Sequence, residues 1–185
     1  MNRAVFLDRD GVINRRAPEG AYITRWEDMY FLPDVVQAIA LLNRSDFRVI
    51  VASNQRCVAK GLITAADLEL IHQRMCDTMT RSGAIIDAVY YCPHEKLPAC
   101  NCRKPAPGLL LNAAREHGID LTASWMVGDS EIDVEAGRRA GCKTARLLDA
   151  GETAGGATDV IATSLLDAIQ QILSDRHQST TAKGA

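Results

Sequence analysis

Two aspartates, Asp8 and Asp10, stand two positions apart behind the apolar run Val5-Phe6-Leu7, and Gly11 follows them. In an extended chain residues i and i+2 share a face, so both carboxylates can enter one site. Like charges this close repel, and a hard divalent cation such as Mg2+ is their natural neutraliser. With that charge balanced, one carboxylate can act as nucleophile and the other as acid and base. Gly11 allows a sharp turn and a close backbone approach to a ligand. An N-cap explains a lone Asp at such a turn, but not a D-x-D-G string behind an apolar strand.

Further along, Cys92, His94, Cys100 and Cys102 form C-x-H followed by C-x-C. Three thiolates and an imidazole suit a closed, tetrahedral, structural Zn2+ site. The segment is polar and proline-rich, which argues against four scattered core residues. The metal would pin an otherwise loose loop. Cys57 and Cys142 read as small buried fillers.

Anion-binding candidates complete the set. Ser53-Asn54-Gln55 ends an apolar run, and a hydroxyl with amide donors suits phosphate oxygens. Arg103 and Lys104 follow the cysteine loop directly, and Arg103 offers a planar fork to a phosphate or hydroxyl. Arg15, Arg16, Arg25 and Arg56 lie on segments expected to rim the pocket.

These groups need elements to hold them. The apolar runs 5–7, 47–52, 86–91, 124–127 and 142–148 read as strands, with a short edge strand at 160–162. Helical patterns lie between them: from Pro33-Asp34 to about Arg44, from the cap at Thr64 to about Arg81, from Pro107 to Glu116, over 131–140, and over 165–173. His72 is expected at the surface or partly buried, and not catalytic. Residues 15–33 lack periodicity and read as a loop or small flap. Alternation of this kind predicts an α/β fold, a doubly wound parallel sheet with the site at the strands' carboxyl ends. One domain is expected over 1–174, with a frayed tail over 175–185.

Composition agrees with such a domain. Of 185 residues, 47% are apolar and 24% charged, and the net charge of -2 gives no electrostatic case for nucleic acid or anionic membrane. No apolar run approaches the ~20 residues of a membrane span. The apolar run at the start is expected to be the first strand, so no signal peptide is expected, and six cysteines, three of them within eleven residues, suggest metal before disulfides and a reducing cytoplasm.

DRDGVIN resembles motif I, D-x-D-x-[TV], of the haloacid dehalogenase superfamily of phosphohydrolases. Ser53 resembles its motif II and Lys104 its motif III, and Gly128-Asp129-Ser130-Glu131-Ile132-Asp133 resembles its motif IV. The resemblance implies a Rossmann-like fold with a minimal cap and an aspartyl-phosphate mechanism. Asp8 attacks phosphorus; Asp10 protonates the leaving group and then activates water. Ser53 binds the phosphoryl group, and Lys104 orients Asp8 and balances charge. Mg2+ is expected on Asp8, Asp10 and Asp129, with Asp133 in support from the next helix. Arg16, Asn54, Gln55, Arg56, Arg103 and Ser130 are expected around the substrate.

The SNQ form, the zinc loop and CRKP together resemble a subgroup that removes the C7 phosphate of a heptose 1,7-bisphosphate. The phosphatase domain of histidinol-phosphate phosphatase shares that loop, so histidinol phosphate is the alternative substrate. One departure stands out: the subgroup usually has Gly soon after SNQ, where this chain has Arg56-Cys57-Val58. The expected partner is a small sugar phosphate, and the expected state a monomer. A non-catalytic scaffold would be signalled by a missing nucleophile, acid or metal ligand, and none is missing.

Overall fold

The structure, a computed structural model, describes residues 2–149, 151–153 and 155–181. Six strands form one parallel sheet: β1 (Arg3–Leu7), β2 (Phe47–Asn54), β3 (Ala88–Cys92), β4 (Trp125–Gly128), β5 (Lys143–Leu147) and β6 (Val160–Ala162). Their order is β3-β2-β1-β4-β5-β6. The helices are α1 (Val35–Arg44), α2 (Ala65–Arg81), α3 (Gly108–His117), α4 (Glu131–Ala140) and α5 (Leu165–Thr181).

The inner strands are buried on both faces, which is why they read as continuous apolar runs. Side-chain alternation splits them between two cores. Val5, Leu7, Val49, Val51 and Val127 pack with α1, α2 and α5. Ala4, Phe6, Ile50, Ala52 and Met126 face the other way, against Leu109, Leu110 and Ala113 of α3.

The chain builds outward from β1 to β3, then returns to place β4 on β1's other side. The order therefore reverses between β1 and β4, and a crevice opens above their carboxyl ends. Leu7 pairs with both Val51 and Val127, so β1 and β4 end within a residue of each other while β2 runs on three residues further, through Ser53 to Asn54.

Two expectations change. Helix α5 continues to Thr181 instead of ending at 173, so most of the expected tail is helical. The rest, 182–185, lies outside the described residues. His72 is buried on the core face of α2, more deeply than expected. Leu68, His72 and Met75 follow the helical repeat, so this burial was available from periodicity.

Candidate active site

The nucleophile candidate stands at the crevice. Asp8 follows β1 directly, and its N–H donates to Val127 O of β4 at 3.0 Å. Gly11 then turns the chain with φ +92°, and a Cβ there would lie 1.6 Å from Asp129 Oδ2. Only glycine allows this turn at this distance. Asp129 follows β4, and Asp133 comes up from the first turn of α4.

The buried Lys104 joins these groups. Its Nζ lies 2.8 Å from Asp8 Oδ1 and 2.6 Å from Asp133 Oδ1. The backbone of Lys104 is fixed by the Asn54 amide, which donates to Lys104 O and accepts from Lys104 N, both at 3.0 Å. Asn54 therefore holds the lysine rather than facing a substrate. Ser53, beside it, is buried at the tip of β2.

Asp10 does not join the acidic group. Its Oδ1 accepts from Asn14 at 2.9 Å and its Oδ2 from Gln55 at 2.9 Å, while Arg9 donates to both oxygens. The residues brought together are instead Asp8, Asp129 and Asp133, with one oxygen from each mutually within 4.8 Å. Of the residues expected to hold Mg2+, Asp8 and Asp129 stand in this group, while Asp10's carboxylate oxygens already face donors. The Gln55 amide also donates to Ser53 Oγ at 2.9 Å, so it organises the site from within.

The charges explain the electrostatics. Burial pushes the Asp8 carboxyl up to about 7; nearby Lys104 opposes this, and Asp133 and Asp129 add to it. Burial also raises Asp129, against the pull of Arg16. At Asp10 burial acts upward too, but the Arg9 guanidinium with Asn14 and Gln55 outweighs it and holds the carboxyl below its ordinary value. At Lys104 burial acts downward, and Asp133 and Asp8 overcome it to hold the ammonium charged.

This centre fits a divalent cation. Three carboxylates face one buried lysine, and Asp8 Oδ1 lacks a well-aligned hydrogen bond despite its ion pair. Asp8 and Asp129 offer the hard oxygens that Mg2+ prefers. Asp133 is more committed, since it accepts from the Ser130 hydroxyl at 2.5 Å and from Ser130 N at 3.2 Å. Ser130, expected at the substrate, is thus spent on capping α4.

The arginines fall in several places. Arg16 pairs with Asp129. Arg56 donates to Tyr22 Oη at 2.8 Å and lies 3.7 Å from Glu95. Arg103 donates to His94 O at 3.3 Å. Arg25 pairs with Asp28 at 3.0 Å. A cavity of about 430 Å3 beside Lys104 is lined by Lys96, Arg103, Ile132 and Arg139. Another, of about 370 Å3, lies over Gly11, Arg16 and Asp129.

The second cluster is closed. Sulfur–sulfur separations among Cys92, Cys100 and Cys102 are 3.3–3.6 Å, and His94 Nδ1 lies 3.1 Å from Cys102 Sγ and 3.5 Å from Cys92 Sγ. A tetrahedron with Zn–S bonds of about 2.3 Å has edges slightly longer than these, at about 3.8 Å. Disulfide sulfurs approach to about 2.05 Å. The four residues therefore fit Zn2+ and no disulfide.

Arg9 and Asn14 were not singled out from the sequence. Arg9 looks like a solvated charge between two acids, yet it is fully buried.

A parallel α/β sheet with this acidic centre at its switch point defines a hydrolase of the haloacid dehalogenase type. A HAD-hydrolase-like family model matches residues 101–168. A D-glycero-beta-D-manno-heptose-1,7-bisphosphate 7-phosphatase of Bordetella bronchiseptica is 39% identical over 140 residues, covering 76% of this chain and 77% of that protein. A D-glycero-alpha-D-manno-heptose-1,7-bisphosphate 7-phosphatase of Mycobacterium bovis is 35% identical over 167 residues, covering 87% and 86%. The crystal structure of D,D-heptose 1,7-bisphosphate phosphatase from B. bronchiseptica, complexed with magnesium and phosphate, superposes with TM-score 0.84 at 33% identity, covering 94% of this chain and 99% of that one. The chain belongs to the family of D-glycero-D-manno-heptose-1,7-bisphosphate 7-phosphatases.

Proposed function

We propose that this protein is a Mg2+-dependent phosphatase that removes the C7 phosphate of D-glycero-D-manno-heptose 1,7-bisphosphate, on the route to nucleotide-activated heptose. One observation carries the reading: a buried lysine holds Asp8 at the tip of β1, in the switch-point crevice beside Ser53 and Asp129. Asp8 forms the bond to phosphorus as the bond to the sugar oxygen breaks, and Asp10, which takes up a proton once the substrate's phosphate adds negative charge beside it, gives that oxygen its proton. Water then attacks phosphorus and gives a proton back to Asp10 as the bond to Asp8 breaks, which releases inorganic phosphate and frees the Asp8 carboxylate. The Ser53 hydroxyl and the Lys104 ammonium bind the phosphoryl oxygens as charge builds on them. Magnesium held by Asp8 and Asp129 supplies further neutralising charge when bound.

The second phosphate of the substrate finds Lys96, Arg103 and Arg139 in the cavity beside Lys104. Arginine suits it because its fork bonds two oxygens at once. A structural Zn2+ on Cys92, His94, Cys100 and Cys102 shapes that cavity's loop. The free cysteines suit a reducing cytoplasm, and a single domain acting as a monomer suffices for this chemistry.

Phosphate release from both anomers of heptose 1,7-bisphosphate, from heptose 7-phosphate and from histidinol phosphate tests the proposal. A bisphosphate anomer should have the highest kcat/KM, and Arg103→Ala should shrink its lead over the monophosphate. Equal rates on all four, or a preference for histidinol phosphate, would overturn it. No observation favours histidinol phosphate.

A further inference from the structure

We infer that Arg9, backed by His72, is a positioning residue that fixes the direction in which Asp10 presents its carboxyl group to the leaving oxygen. The inference rests on the reading of Asp10 as the proton donor of a phosphomonoesterase.

Arg9 is fully buried, where an unpaired charge would be prohibitive. Its guanidinium is divided between two partners. Nη2 donates to Asp10 Oδ1 at 3.0 Å and Oδ2 at 2.9 Å, and Nε donates to Oδ1 at 3.2 Å. Nη1 lies 3.1 Å from His72 Nε2. Arginine only donates, so His72 Nε2 accepts, and the imidazole proton sits on Nδ1. Neutral His72 is braced in turn. Its ring lies 5.4 Å from the Tyr91 ring, and Tyr91 Oη donates to Glu69 Oε1 at 3.1 Å. A wall from α2 and β3 thus stands behind the guanidinium.

Satisfaction of Asp10 does not require this arrangement. Asn14 and Gln55 already give each carboxylate oxygen a donor. Net stability is a weak reason as well, since a buried ion pair often contributes no more than an apolar pair of its size. What Arg9 adds is a grip on both oxygens at once. That grip adds a charged bridge across both oxygens to the single bonds that Asn14 and Gln55 make with one oxygen each.

Direction matters only where a proton must be delivered. An alkoxide leaves poorly unless Asp10 protonates its oxygen as the P–O bond breaks. The p-nitrophenolate ion leaves without a proton. The ratio kcat/KM counts steps only through departure of the leaving group, so hydrolysis of the aspartyl-phosphate does not enter it.

The test measures kcat/KM for heptose 1,7-bisphosphate and p-nitrophenyl phosphate in wild type, Arg9→Met, His72→Leu, His72→Gln and Asp10→Ala. In Arg9→Met the heptose ester should lose about tenfold or more, and the aryl ester less than about threefold. His72→Leu should show the same asymmetry to a smaller degree. His72→Gln, which keeps an acceptor for Nη1, should recover most of the loss. If Arg9→Met does not fold, the His72 pair carries the test. Equal losses on the two esters, or no loss on either, would overturn the inference. Asp10→Ala separates the two claims. If it fails to discriminate between the esters, the proton-donor reading itself is wrong. If it discriminates and Arg9→Met does not, only the positioning role is wrong.

Discussion

Asp8, the proposed nucleophile, carries the first prediction, and its surroundings indicate what its replacement should do. Asp8→Asn replaces a nucleophile with an amide and removes one negative charge from a group of three carboxylates. Turnover should fall by roughly a thousandfold or more. Circular dichroism should show an unchanged fold, because the amide is isosteric and relieves repulsion. Near-normal phosphate release by the purified variant would end the covalent mechanism. His72 makes a prediction about acid. Burial, then Arg9, push its imidazole down to about 3. The unfolded chain binds the proton near 6.5, the folded chain only near 3, so the stability tied to a neutral His72 is complete above 6.5 and declines as pH falls below it. Between pH 7 and 5 the loss should be on the order of 2 kcal/mol. Urea unfolding of wild type and His72→Gln at both pH values checks this, and an identical pH dependence in the two proteins would refute it.

The loop between β3 and α3 should behave as a metal-pinned unit. We expect one Zn2+ per chain by elemental analysis of protein purified without added metal, and none in Cys92→Ser. Removing the zinc by chelation and then restoring Mg2+ should raise KM for the bisphosphate at least about tenfold, while activity on p-nitrophenyl phosphate changes little, because the zinc would shape the loop and not the reacting centre. A wild-type chain without zinc would remove this claim. The strands were legible because buried parallel strands leave apolar runs ending in reactive residues, as at Asp8, Ser53 and Asp129. The Cys/His cluster was legible because its four residues lie close in sequence. The extension of α5 was not, since Asp175-Arg176-His177-Gln178-Ser179-Thr180-Thr181 carries no apolar stripe. Nor were the orientations of Asp10, Asn54 and Gln55. Those depend on pairings such as Gln55 with Asp10 and Asn54 with Lys104, which only the assembled sheet brings within reach.

Across the whole molecule, the two cores give the switch-point crevice a rigid floor. Phe6, on β1 itself, is fully buried. Phe6→Ala should cost about 3–5 kcal/mol in chemical unfolding, and a value under about 1 would mean that β1 is not the centre of the sheet. Mg2+ should raise the melting temperature of wild type, since a ligand that binds only the folded chain stabilises it. That increase should shrink in Asp129→Asn. The double hydrogen bond from Asn54 to the Lys104 backbone has a consequence for how such enzymes diversify. It ties the lysine to the tip of β2, so the ammonium keeps its place independently of the loop that precedes it. The stretch over 95–99, between the metal ligands, is then free to vary like an interchangeable lid, presenting a different surface to the substrate while the groups around Lys104 stay fixed. A chimera carrying another enzyme's loop on the same four metal ligands should keep its rate on p-nitrophenyl phosphate and change only which ester it prefers.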